Sequence, residues 1–162
     1  MDNDLRPMID RLVEREKEYI REDREEYGCA MAVIVAPDGI HLRLPEFEDE
    51  ESKQAAYEPI VALAKEKNAT VIVTFNNSWT RAAEYPGELD DIGPGELNSS
   101  NATPCLLVTL SGPGMKRQAL QMDYFIHPDD VRFGPLEPME SCVVNLLPGW
   151  SDEDCGEELS CR

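Results

Sequence analysis

Val71-Ile-Val-Thr-Phe75 is an almost unbroken apolar run of β-branched and aromatic residues. Such a run fits a strand covered on both faces and little else, because an exposed face would alternate with polar residues. An alanine-rich helical stretch leads into it, and Asn76-Asn-Ser-Trp79 follows at once. The connection over 76–104 then breaks every period, with Pro86-Gly, Gly93-Pro-Gly and Asn98-Ser-Ser-Asn along it. A rigid strand that opens onto a long polar loop is where a small domain of helices and strands carries its function.

The flanking patterns set the fold class. A helix is expected over 4–27, capped by Asp4, with Pro7 in its first turn and Gly28 in the left-handed position after its end. Leu5, Met8, Ile9, Leu12, Val13, Tyr19 and Ile20 form its apolar stripe. Arg11 with Glu14, Arg15 with Glu18, and Glu18 with Arg21 supply opposite charges one turn apart. The stripe fades after Ile20, which predicts that the last turns project from the body and offer a homodimer or partner contact. Residues 29–36 read as a second central strand, Pro37-Asp-Gly39 as a turn, and 40–44 as an alternating strand near an edge. Within that strand His41 and Arg43 share the polar face.

A second helix over 53–67 follows an acidic loop at 46–51. Pro59 either bends this helix or marks the start of its regular part. The helix joins two strands by a crossover long enough for them to run parallel. Strands at 105–111 and 116–127 flank a Gly-Pro-Gly hairpin, and the second of them points Leu120, Met122, Tyr124 and Ile126 inward with Arg117, Gln121 and Asp123 outward. A proline-spaced connection leads to a last short strand over 141–147. The order of elements predicts an α+β two-layer sandwich. Its mixed, mainly antiparallel sheet has five or six strands, a helix packed on one face, and the N-terminal helix on the same face or at an edge. Residues 1–150 form the single domain and 151–162 an acidic tail in which Trp150 is the adjoining anchor.

Charge narrows the partners. The 162 residues carry 15 Lys and Arg against 33 Asp and Glu, a formal net charge of −18. Such an excess repels nucleic-acid phosphates and anionic lipid surfaces, so neither is an expected direct partner. The acidity by itself fits a highly soluble protein or one from a salty or acid-tolerant host; a docking surface for a basic protein partner is the second reading, and an acidic mimic of nucleic acid that occupies a basic groove the third. No apolar run has membrane-spanning length, and Met1-Asp-Asn-Asp lacks the features of an export signal. A cytoplasmic location with reduced thiols is expected. Cys29, Cys105 and Cys142 then read as small buried hydrophobes, and Cys155 and Cys161 as thiols blunted by acidic neighbours.

Strong catalytic signatures are missing: there is no Walker motif, no G-x-G-x-x-G, no G-x-S-x-G and no H-E-x-x-H. Ser111-Gly-Pro-Gly-Met-Lys-Arg117 has turn amides beside two cations, a weak phosphate cradle better read as a hairpin. His127 with Asp129, Asp130, Asp123 or His41 has the ligand types of a divalent metal site. Asp123 and His127, however, lie about 13 Å apart along one strand, too far for one ion.

The remaining group is Asn76, Asn77, Ser78, Trp79 and Arg81, whose amides, hydroxyl and indole suit recognition better than bond-breaking. The sequence therefore favours a non-catalytic binding or protein-interaction module that uses the 76–104 loop and needs no cofactor. A small metal-dependent hydrolase built on His127 and neighbouring carboxylates is the alternative, and the nucleic-acid mimic a third reading.

Overall fold

In the computed structural model, residues 5–80, 102–139 and 146–151 are described. Arg6–Asp23 forms helix α1, followed by one 3-10 turn at Arg24–Glu26. Its buried stripe is Ile9, Val13, Glu16 and Ile20, spaced three or four residues apart so that all four face the sheet. Tyr19, expected on that stripe, is exposed, and buried Glu16 takes a place among the apolar positions. The helix stops at Arg24, whose φ of 54° turns the chain, and Gly28 keeps a negative φ. Asp4 lies outside the described residues, and no side chain caps the first turn at Leu5.

The last turns of α1 do not project. Ile20 is fully buried, the Arg24 guanidinium donates to the His127 carbonyl, and Lys17 and Arg21 lie over the Phe133 ring at 5.5 and 5.0 Å. Of the expected charge pairs only Glu18 with Arg21 forms; Glu14 pairs with Lys17 and Asp10 with Arg6.

Seven strands follow: β1 (Ala30–Ala36), β2 (Gly39–Arg43), β3 (Val71–Thr80), β4 (Thr103–Gly112), β5 (Met115–Ile126), β6 (Val131–Phe133) and β7 (Glu137–Pro138). They build one sheet in the order β2-β1-β3-β4-β5-β6, with β7 also on β5, and each observed pairing is antiparallel. The expected parallel relation survives one strand removed: β2 and β3 run the same way but flank β1, and helix α2 (Glu50–Glu66) carries the chain between them. The short strands β6 and β7 occupy what the prolines of 128–138 marked as a plain connection. The expected strand over 141–147 falls mostly outside the described residues, and Leu147 lies beside a turn that ends in Trp150.

Helix α2 runs through Pro59 without ending. It begins with Asp49, whose carboxylate accepts from Ser52 N at 2.8 Å in a reciprocal cap. The fold is α+β sandwich packing of an antiparallel sheet with a helix against it and a long amphipathic N-terminal helix. Alternation along the strands places the helices on opposite faces, however, so α1 shares neither α2's face nor an edge. Val33, Val73 and Phe75 join the α1 residues Ile9, Val13 and Ile20 in one core, while Ala32, Ile34 and Ile72 join Tyr57, Ile60 and Ala64 of α2 in another. Trp150 completes the second core and donates from Nε1 to the Ser111 carbonyl at 2.7 Å. Val71, Ile72, Val73 and Phe75 are buried between the two, as their unbroken apolar run requires. Among the described residues no helix is long and apolar enough to cross a membrane.

Candidate functional site

β3 does not end at Phe75. It continues to Thr80, with Asn76 opposite Leu107, Asn77 opposite Leu106, Ser78 opposite Cys105 and Trp79 opposite Pro104. The candidate recognition residues therefore belong to a strand instead of opening a loop, and the pleat divides them. Asn76 and Ser78 face the α2 side, while Asn77 and Trp79 face the α1 side. Arg81 and the rest of the connection over 81–101 lie outside the described residues.

The two amides already have internal partners. Asn76 is buried, and its Oδ1 accepts from the Tyr57 hydroxyl at 3.0 Å. Asn77 Oδ1 accepts from Cys29 N at 2.8 Å, and its Nδ2 donates to the Tyr27 carbonyl at 3.5 Å. Asn77 thus stitches the segment between α1 and β1 to the central strand. Trp79 and Ser78 are half-buried.

His41 and His127 do not meet. The register puts His41 level with Ile34, Ile72 and Ser111, four strands away from β5. From Ser111 it is six residues up β4 to Cys105, which pairs with Asp123, and four more to His127. That separates the histidines by about 33 Å along the strands, before the sideways step of about 4.8 Å per strand is counted. His41 Nε2 instead contacts Asp38 at 2.7 Å, and Lys67 Nζ reaches the other oxygen at 3.0 Å. These two partners hold the Asp38 carboxyl down at about 2, the His41 hydrogen bond contributing most and the Lys67 hydrogen bond next. His127, Asp129 and Asp130 sit together on an exposed turn closed by His127 N donating to the Asp130 carbonyl at 2.8 Å. Asp123 accepts from Gln121 at 2.7 Å. Among the described residues no three His, Cys, Asp or Glu side chains group as metal ligands.

Burial raises the phenols of Tyr27, Tyr57 and Tyr124 and the thiols of Cys29 and Cys105. Beneath α1, the Tyr27 hydroxyl donates to Glu16 at 2.9 Å, and Arg15 Nε lies 3.5 Å from the other Glu16 oxygen. Burial first, and then the charges of Cys29 and Glu16, push the Tyr27 phenol far above its usual range. Burial and the Glu16 charge raise the Cys29 thiol to about 12, and burial with Asp123 raises Cys105 likewise to about 12. Neither thiol is a nucleophile near neutral pH. The arrangement ties α1 to the segment that leads into β1.

Three comparisons, with family models, curated proteins and solved structures, return no match. The functional reading accordingly rests on the molecule's own surfaces.

One surface stands out. Ile40 and Leu42 on β2 are 61% and 41% exposed, and Leu44 just past the strand is 66% exposed. β2 is the first strand of the sheet, and among the described residues nothing pairs with its outer side. The direction of its backbone groups follows from β1. The Cys29 carbonyl accepts from Asn77 N and the Val35 carbonyl from Thr70 N, so odd positions there turn toward β3. Even positions turn toward β2, where Ala32, Ile34 and Ala36 bond with Arg43, His41 and Gly39. Ile40 and Leu42 are left with N–H and C=O aimed outward. The Arg43 guanidinium, resting on the Leu42 carbonyl at 2.9 Å, fits that geometry.

Beyond the strand, Leu44, Pro45, Ala56 and Pro59 line a groove against α2. The exposed carboxylates Glu46, Glu48 and Glu51 follow within one turn of chain. In the sequence, the alternation at 40–44 signals an edge strand but is silent on whether its apolar face is covered. That depends on where α1 lies, and α1 lies over β1, β3, β4 and β5.

Proposed function

We propose that this chain is a non-catalytic binding module for a basic protein partner. The observation that carries the reading is an open, apolar strand edge beside a run of exposed carboxylates, on a chain whose net charge is −18. Charge of that sign accelerates encounter with a cationic surface, and uncovered apolar area supplies the short-range gain once contact is made. The chemistry of the core agrees with recognition: the thiols of Cys29 and Cys105 and the phenols of Tyr27, Tyr57 and Tyr124 are all raised by burial. The stretch 76–104, with Trp79 near the end of β3 and Arg81 beyond it, is the second part of the proposed contact region.

The test is recovery of bound proteins from the native host by cross-linking in cells, with the complexes then washed at low and high salt. The reading expects a protein of basic isoelectric point, released as salt rises. It is refuted by an acidic or salt-insensitive partner. Hydrolysis of phosphoesters or peptides by the purified chain, abolished by His127→Ala, would refute it equally.

A further inference from the structure

We propose that the outer edge of β2 is a docking site for an extended segment of a basic partner, which joins the sheet as an additional strand. The inference rests on the binding-module reading and adds the place, the geometry and the kind of segment. Three independent features converge on that edge. The N–H and C=O groups of Ile40 and Leu42 point away from β1, which is the hydrogen-bonding template that strand addition uses. Their side chains, on the α1 side of the sheet, are exposed where α1 no longer covers it. Past the C-terminal end of β2 come the exposed Glu46, Glu48 and Glu51 and the capping carboxylate of Asp49.

Charge complementarity selects the occupant and its direction. A second copy of this chain would bring another net charge of −18 to the edge, and like charges at that density oppose close approach. A cationic segment is drawn in by the net charge and meets one like charge at the edge, the Arg43 guanidinium on the Leu42 carbonyl. An incoming strand antiparallel to β2 places its own N-terminal end beside the acidic run, so its lysines and arginines belong just before its apolar residues. Alternate apolar side chains then fall on Ile40 and Leu42, and the strand's beginning passes the groove at Leu44 and Pro45. The Arg43 guanidinium gives up the Leu42 carbonyl as the new ladder forms.

The test uses the full chain and a fluorescent peptide, Lys-Arg-Lys-Val-Thr-Ile-Thr-Val, read by anisotropy. A copy N-methylated at alternate amides, in both phases, deletes the ladder donors while retaining charge and side chains. The expected result is saturable binding that Ile40→Thr/Leu42→Thr weakens about tenfold or more and that N-methylation in one phase abolishes. Both substituted side chains are exposed, so an unchanged melting curve accompanies the variant, and the methylated peptides need no variant at all.

Equal binding by the double variant and by both methylated peptides overturns strand addition. It leaves the wider reading standing, since charge alone then holds the peptide. No peptide binding, with the host partner still captured equally by wild type and double variant, overturns the edge alone in the same way. A salt-stable dimer that the double variant dissociates shows the occupant to be a second copy and also overturns the proposal. No peptide binding and no basic host partner captured by the wild-type chain removes the edge and the module together.

Discussion

Tyr57→Phe is the perturbation that most directly asks whether Asn76 is a structural or a recognition residue. Tyr57, on the inner face of α2, is completely buried, and its hydroxyl donates to Asn76 Oδ1 at 3.0 Å inside the core. Its phenol stays neutral because burial raises it to about 12, even with the Asn76 bond acting in the opposite direction. Deleting the hydroxyl leaves a buried amide oxygen without this donor, which costs about 1–3 kcal/mol. Asn76→Val makes the converse deletion and strands the hydroxyl at a similar cost. When both polar groups are replaced by apolar ones neither leaves an unpaired partner behind, so the double variant should lose less than the sum of the two singles, by about 1–3 kcal/mol.

For a chain of 162 residues, each kcal/mol corresponds to about 2–4 °C in Tm. The assay is urea unfolding followed by circular dichroism for wild type, both single variants and the double variant. The midpoint should fall in each single variant without a change in slope. A Tyr57→Phe midpoint equal to wild type, or strictly additive losses, would mean that this hydrogen bond contributes nothing. The Asn76 amide would then be free for a ligand, and its structural assignment would be wrong.

Three further outcomes follow from the same structure. Asp38→Asn should lower stability near neutral pH and lose that effect in acid: the folded carboxyl at about 2 lies below its ordinary 3.8, so its contribution is full above 3.8 and disappears as pH falls through 2; paired thermal melts between pH 6 and pH 2 read the convergence. Gly112→Ala should destabilise by about 1–3 kcal/mol, because a Cβ there would collide with the Thr70 carbonyl oxygen; a urea midpoint equal to wild type would show that the backbone yields freely. Cys29 and Cys105, both raised to about 12, should resist iodoacetamide at pH 8 in the folded protein and react in urea, as mapped by mass spectrometry of the cysteine peptides; rapid native labelling would contradict the burial of Cys105 or the raised thiol of half-buried Cys29.

The elements legible in the sequence were those whose pattern has a local cause. The apolar run at 71–75 could only be an inner strand, and Pro37-Asp-Gly39 and Pro113-Gly114 could only be turns. What was illegible depends on residues remote in the chain. Asn76-Asn-Ser78 lacks strand propensity, yet the facing residues 105–107 extend β3 through it, a case of tertiary pairing overriding local preference. Glu16 reads as a solvated helix position until Tyr27 supplies its hydrogen bond from beyond the helix end. Arg24 takes the turn assigned to Gly28, since its guanidinium is anchored to the His127 carbonyl far along the chain. The candidate binding group was recognised by residue type alone, and residue type does not reveal that consecutive strand positions face opposite sides.

The acidity of this chain and the openness of its first strand make more sense together than apart. An edge strand with outward backbone groups and exposed Ile40 and Leu42 is a template for pairing with any extended chain, its own copies included. Familiar protections are only partly present: β2 is short and Arg43 lies across one carbonyl, but no described strand, helix or bulge covers the edge. The net charge of −18 supplies a selective protection. It opposes the approach of another acidic copy at distances up to the Debye length, about 8 Å at physiological salt, and over that same distance it draws in a cationic segment. An exposed apolar edge on a neutral protein would invite aggregation; on this one, the proposed docking of a basic segment requires that the surrounding charge disfavour a second copy while leaving the template open.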